Sequence, residues 1–183
     1  MSVSEIKERL LRALWLVGKP AKLQDIAEKV ELSISSSMMH LLQLRKGGYV
    51  SSPEKSYYVI TRTGKEAIGL PRLTGEKALD ILREVPKEKA FHFYTGINQY
   101  TGICARSLND FCDRIRTVNV KSIEFHASRR DFELWLDSLG DLELAKRMGQ
   151  IRRATLSGEN LRQRVYESVR SRCEELTDLS GKV

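Results

Sequence analysis

The sequence predicts a mostly α, α+β protein in which a module of helices and one β-hairpin precedes a small multi-helix domain. Its 183 residues suffice for one ordinary domain or two small ones. Apolar residues recur every three or four positions over most of the chain, whereas "YYVIT" (57–61) is rich in β-branched and aromatic residues. Prolines and glycines interrupt this pattern after the hairpin. The expected divisions are a first module at 1–70, a connector helix at 71–89, a helical domain at 90–178 and a tail at 179–183.

The net charge favours a polyanionic partner. Lysine and arginine total 31 against 24 aspartates and glutamates, which gives a net charge of +7 and a pI near 9.4. Residues 1–70 hold 11 basic and 7 acidic side chains, and the remainder holds 20 and 17. We therefore expect nucleic-acid contacts in the first module.

Neither a membrane span nor a cysteine framework is indicated. No segment approaches the roughly 20 apolar residues that cross a bilayer, and the first helix carries charges at regular spacing. We therefore expect a cytoplasmic protein without membrane contacts. Cys104, Cys112 and Cys173 form no CxxC pair, so free thiols are expected instead of disulfides or a zinc ribbon.

The first module has the pattern of three helices, a hairpin and a fourth helix. Gly18 and Pro20 end the first helical pattern, serines suit the start of the third, and Gly47-Gly48 suit its end. A polar turn containing Pro53 separates two short β-type runs. The expected segments are helices at 6–17, 23–30 and 33–46, a hairpin at 49–61 and a helix from 63. This order predicts a winged helix-turn-helix with a β-hairpin wing.

Two segments, "HLLQLRKGGYV" (40–50) and "YYVITRTGKEAI" (57–68), resemble the winged-helix module of archaeal and bacterial transcription regulators. The resemblance covers roughly residues 4–69. It implies that the third helix enters the major groove of double-stranded DNA and that the wing reaches an adjacent groove or the phosphates. The process regulated does not follow from the fold.

Candidate nucleic-acid contacts lie on the third helix, the wing and the start of the fourth helix. Gln43 is the best candidate for recognising a base, since its side-chain amide can form two hydrogen bonds with adenine. His40 faces the inner side and is expected to be packed. Residues expected to approach base edges are Ser35, Ser36, Met39, Gln43 and Lys46; those expected to contact phosphates are Arg45, Lys46, Lys55 and Arg62. The first two turns of the helix contain no arginine, so a protein- or RNA-binding winged helix is the alternative.

The second domain shows several short amphipathic helices. Thr74, Ser107, Ser122, Asp131 and Asp141 are expected as helix caps. The last helix carries an apolar stripe that suits either packing within the domain or a dimer seam. The stripe consists of Leu161, Val165, Val169, Cys173 and Leu176. This half resembles an archaeal domain of unknown function through "FHFY" (91–94), "TGICARSL" (101–108), "SIEFH" (122–126), "RRDFELW" (129–135) and "LGDLELA" (139–145). The resemblance implies a mostly helical fold and no particular chemistry.

Enzymatic chemistry is not indicated, and no cofactor is expected. His92, Cys112 and His126 lack the spacing of metal ligands, and no phosphate-loop or nucleophile-elbow motif occurs. A catalytic interpretation makes His126 a general base beside an anion clamp of Arg129 and Arg130. The favoured structural interpretation makes Asp131 a cap, places Phe132 and Trp135 in the core, and leaves the two arginines solvated or ion-paired.

The repeat in "YTGINQYTGI" (94–103) is interpreted as a corner through Gly96 and Gly102 that leads into a helix capped by Ser107. The leading hypothesis is a DNA-binding transcription regulator whose C-terminal domain dimerises or binds a partner. The alternative is a protein- or RNA-binding adaptor of a ribosome- or replication-associated assembly. A third hypothesis is a small-ligand sensor with a pocket near His126 and Trp135.

Overall fold

The computed structural model describes residues 4–181 and divides the chain into two compact units, Met1–Arg72 and Leu73–Val183. The described residues are mostly helical with two small antiparallel sheets, which is consistent with the α+β class. Each unit has a separate apolar core. In residues 4–181, no helix combines the length and the apolarity needed to cross a membrane.

Over residues 4–72, the first unit contains four helices and a three-stranded antiparallel sheet in the order β1-β3-β2. Ala21 pairs with Tyr58, and Val50 pairs with Ile60. The first strand was not predicted, because two residues carry no readable alternation. The elements are α1 (Glu5–Val17), β1 (Ala21–Lys22), α2 (Leu23–Lys29), α3 (Ile34–Lys46), β2 (Val50–Ser51), β3 (Tyr57–Ile60) and α4 (Arg62–Ala67).

Local capping explains where these helices begin and end. Gly18 ends α1 in the left-handed conformation at φ 70°. The Ser33 hydroxyl accepts a hydrogen bond from the Ser36 amide and so starts α3. Thr61 starts α4 by accepting from the Gly64 amide, which corrects the predicted start by one residue. The predicted helices and hairpin of this unit are confirmed.

The second unit contains a β-hairpin and six helices in the part of the chain that the structure describes. A single 3-10 turn at Lys87–Lys89 precedes the hairpin. Helix α5, predicted as a connector, packs against α10 and contributes Ala78 and Ile81 to the core of this unit. The elements are α5 (Gly75–Leu82), β4 (Phe91–Tyr94), β5 (Tyr100–Ala105), α6 (Leu108–Thr117), α7 (Val120–Ser128), α8 (Asp131–Ser138), α9 (Leu142–Arg153) and α10 (Gly158–Ser180).

The repeated stretch 94–103 forms the end of this hairpin instead of a corner between elements. Strands β4 and β5 pair antiparallel, with Phe91 opposite Ala105. Gly102 lies inside β5 at φ 79°, a conformation that glycine tolerates without strain. The predicted cap at Ser107 is confirmed, because its hydroxyl accepts from the Asp110 amide.

The apolar stripe of α10 packs within its own unit. Its five members, from Leu161 to Leu176, are buried in the single chain and belong to the core of the second unit. A dimer seam needs an exposed stripe, so the packing alternative holds for these residues. The aromatic part of the same core includes Phe91, Phe111, Phe132 and Trp135, whose rings meet at centroid distances between 5.0 and 5.5 Å.

Candidate functional site

Helix α3 presents one face to the core and one to solvent. Its apolar positions Leu41 and Leu44 are buried together with Ser37, whereas His40 on the same side is half-buried. The other face of the helix is exposed over its whole length. That exposed face holds most of the residues predicted to contact nucleic acid.

The predicted contact residues are exposed, apart from Ser36, which is half-buried on the flank of the helix. They come from three elements, since Lys55 lies in the loop between β2 and β3 and Arg62 is the first residue of α4. The exposed members are Ser35, Met39, Gln43, Arg45, Lys46, Lys55 and Arg62.

Two hydrogen bonds bring Arg62 to the end of α3. The Thr61 hydroxyl donates to the Gly48 carbonyl at 2.6 Å, and the Thr61 amide donates to the Tyr49 carbonyl at 3.0 Å. Arg62 therefore lies beside the turn that follows Arg45 and Lys46. Lys55 is at the far end of the hairpin, beyond the paired residues of β2 and β3.

The four predicted phosphate contacts have no competing partner in the part of the chain that the structure describes. Within residues 4–181, Arg45, Lys46, Lys55 and Arg62 form no ion pair with an acidic side chain. Elsewhere in the first unit, Arg12 is paired with Glu8 at 2.7 Å. The charge of the four cations is thus available to an external anion.

Three apolar side chains of the exposed α3 surface had no predicted role, unlike Met39, which was predicted to approach base edges. Ile34, Met38 and Leu42 recur every four residues and are 51%, 45% and 48% exposed, and Met39 beside them is 50% exposed. The i, i+4 spacing of Ile34, Met38 and Leu42 aligns these three side chains along one flank of the helix. Their recurrence every four residues is visible in the sequence and could have identified this apolar row.

In the second unit, His126 joins three elements. Its Nδ1 lies 2.7 Å from Asp131 Oδ2, and its Nε2 accepts a hydrogen bond of 2.8 Å from the Tyr94 amide. The neutral ring therefore carries its proton on Nδ1 and donates it to Asp131. Burial lowers the pKa of His126, although the hydrogen bond and charge of Asp131 act to raise it.

This geometry corrects two sequence interpretations. Because the lone pair of Nε2 is occupied by the Tyr94 amide, His126 is not poised as a general base. Asp131 is the first residue of α8 instead of its cap, and the cap position is Arg130 at φ 69°. Phe132 and Trp135 are buried in the core, as the structural interpretation expected.

A pocket of about 380 Å³ opens beside this histidine. Its walls come from β4, the β4–β5 loop and the corner between α7 and α8, and they include Phe91, Tyr94, Phe125, His126 and Arg129. Trp135 does not line it, because its indole is buried and donates to the Lys89 carbonyl at 2.9 Å. The predicted pocket near His126 therefore exists without Trp135.

The three residues considered as metal ligands are engaged separately. The Nδ1 atom of His92 lies 3.3 Å from the Tyr100 hydroxyl, and Cys112 is a buried free cysteine. Across residues 4–181, no group of three potential ligands from His, Cys, Asp and Glu is close enough to hold a metal ion.

Comparison with known proteins gives one family assignment. Residues 71–170 match a family of unknown function, DUF5752, and this segment begins just before α5 and ends within α10. No curated protein and no solved structure matches the chain. Because the matched segment spans more than half of the 183 residues, the chain belongs to the DUF5752 family.

Proposed function

We propose that the first unit is a winged helix that binds double-stranded DNA and that the protein is a transcription regulator. The proposal rests on the exposed cations around the outward face of α3, which form no ion pair with any of residues 4–181. Surface arginines of the second unit, such as Arg114 and Arg170, are instead neutralised by acidic neighbours at 2.9 and 3.0 Å. Free positive charge beside one exposed helix favours a polyanion.

In this proposal each residue type has a distinct role. Helix α3 enters the major groove, where Gln43 bonds an adenine edge and Met39 contacts a thymine methyl. Arg45, Lys46 and Arg62 hold phosphates at one end of the helix, and Lys55 holds a phosphate from the hairpin loop. Phosphate contacts orient the helix, and the few groove contacts select the sequence.

The salt dependence of binding to duplex DNA tests the proposal. Each neutralised phosphate contributes about 0.9 to the slope of log K against log salt, so four contacts give a slope magnitude of roughly 3 to 4. A variant with Arg45→Gln, Lys46→Gln and Arg62→Gln should lower that magnitude by roughly 3 and weaken binding to every duplex.

The matched control removes the same charge from the second unit. Lys77→Gln, Lys87→Gln and Lys89→Gln replace three exposed lysines and should leave the salt slope unchanged. Equal losses in the two triple variants would contradict the proposed surface. Equal binding by the first triple variant and the unsubstituted protein would contradict DNA binding through α3.

A specific observation favours a second function, a protein-binding adaptor. Four exposed apolar side chains on one helix are unusual for a groove-reading surface and typical of a protein contact. If this function holds, Met38→Gln with Leu42→Gln should abolish recovery of a stoichiometric protein partner from the native host. The protein should then show no duplex affinity at moderate salt, and the triple cation variant should retain its partner.

A further inference from the structure

We infer that the pocket beside His126 binds a small aromatic carboxylate, with the ring between aromatic walls and the carboxylate on Arg129. This site lies wholly in the second unit and is independent of the proposed DNA surface. Its volume of about 380 Å³ is at the lower end of the range for ligand pockets, which suits a ligand of one or two rings.

The walls select a flat apolar group. Phe91, Tyr94 and Phe125 line the pocket, and the His126 ring stands edge-on to Phe91 with centroids 4.8 Å apart. Phe91 is 5% exposed and fixed by core packing, so this wall is present before any ligand arrives. Aromatic faces and edges bind planar rings better than aliphatic ones of the same size.

His126 holds the pocket in shape and takes no part in the chemistry. Its two hydrogen bonds join β4, through the Tyr94 amide, to the start of α8, through Asp131. Both ring nitrogens are thereby satisfied. The aromatic wall is therefore a rigid surface without an unsatisfied donor or acceptor on the histidine.

Arg129 supplies the charge. Its guanidinium lies 5.1 Å above the Phe125 ring, and its Nε is 3.5 Å from Asp131 Oδ2. Among the described residues it has no other hydrogen-bonding partner, so both terminal NH₂ groups remain for a ligand. The side chain of Arg129 is 53% exposed, against 28% for Asp131, whose Oδ2 already accepts from His126. The group open to an incoming ion is therefore the cation, and a fork of NH₂ groups suits a carboxylate.

Three probe compounds separate the two parts of the inference. Indole-3-acetate has the ring and the charge, indole-3-acetamide keeps the ring without the charge, and cyclohexylacetate keeps the charge without the ring. Binding is followed by two-dimensional NMR of the full chain. We expect saturable shifts from indole-3-acetate at residues 91–98 and 125–131, and affinities about tenfold weaker for each of the other two compounds.

Neighbouring arginines give a matched pair of variants. Arg129→Gln should weaken indole-3-acetate about tenfold and remove its advantage over the amide. Arg130 is the adjacent exposed arginine and does not line the pocket. The Arg130→Gln protein should therefore bind indole-3-acetate with the affinity of the unsubstituted protein.

Three results would overturn the inference: no saturable shift from indole-3-acetate up to about 10 mM, equal affinities for the acid and its amide, or shifts centred outside the two segments. If the Arg129→Gln protein binds indole-3-acetate as tightly as the unsubstituted protein does, Arg129 does not bind the carboxylate and the inference fails.

Discussion

Replacing Arg172 by methionine should destabilise the second unit strongly. This arginine is buried on α10, and its Nε and Nη2 donate to Asp141 at distances from 2.8 to 3.1 Å. Its Nη1 reaches Glu143 at 2.8 Å and Glu175 at 2.9 Å. Burial acts to lower the pKa of Arg172, but the charges of Asp141 and Glu143 raise it overall, so the guanidinium stays charged.

The expected loss follows from the carboxylates left behind. Asp141 is 1% exposed and Glu143 is 6% exposed, and Arg147 is the other buried cation in contact with Glu143, at 2.9 Å. Methionine fills part of the space and keeps the helix propensity, but it leaves Asp141 without a counter-charge. Removing one partner of a buried ion pair costs about 3–5 kcal/mol. That is a large share of the stability of a domain, which is typically about 5–15 kcal/mol.

Urea unfolding followed by two-dimensional NMR measures this loss in the second unit alone, through the peaks of residues 73–181. The control is Arg170→Met, two residues away on the same helix, where both members of the Arg170–Glu174 pair are more than 60% exposed. An exposed pair contributes about 0–1 kcal/mol. Equal losses in the two variants would refute the reasoning that burial of the Arg172 cluster makes it costly to break.

Three further outcomes are expected. Because the folded-state pKa of His126 is lowered, its contribution to stability is complete above about pH 6.5 and is lost as the pH falls toward the folded value. Between pH 7 and pH 5, the free energy of unfolding measured in urea should therefore fall less for His126→Gln than for the unsubstituted protein. Equal decreases would contradict a neutral His126 ring in the folded protein. A Cβ at Gly64 would overlap a backbone carbonyl of the α3–β2 turn, so Gly64→Ala should destabilise the first unit by about 1–3 kcal/mol, whereas unchanged stability would contradict this packing. Cys104 is half-buried while Cys112 and Cys173 are buried, so a thiol reagent should label Cys104 first. Faster labelling of Cys112 or Cys173 would contradict this difference in burial.

Helices with strong local signals could be predicted from the sequence. Apolar spacing and the caps at Thr74, Ser107 and Asp141 identified elements whose start is fixed by a side chain bonding its own helix. Ser122 was misassigned as a cap, because it lies inside α7 and Asn119 holds the cap position. Strand β1 was missed because its partner is distant in the sequence, with Ala21 opposite Tyr58, and a local pattern does not contain that pairing. The hairpin of β4 and β5 was missed because Gly96 and Gly102 were interpreted as a corner, although Tyr94 pairs with nearby Tyr100.

The candidate sites show the same division between local and distant information. Exposure of Gln43 and Lys46 followed from their side of α3. The partners of His126 did not, because the Tyr94 amide lies 32 residues away in sequence. The pocket likewise needs β4, its loop and the α7–α8 corner together. The pairing of Arg170 with Glu174 follows from their i, i+4 spacing on a helix, whereas the lack of an acidic partner for Arg62 within residues 4–181 becomes visible only in three dimensions.

NMR mapping of the full chain during titration with duplex DNA tests directly whether α3 and the wing bind DNA. We expect shifts at Ile34–Lys46, in the hairpin loop around Lys55 and at Arg62, with the amides of residues 73–181 unperturbed. Shifts confined to residues 73–181, or no shifts at moderate salt, would contradict DNA binding through α3 and the wing.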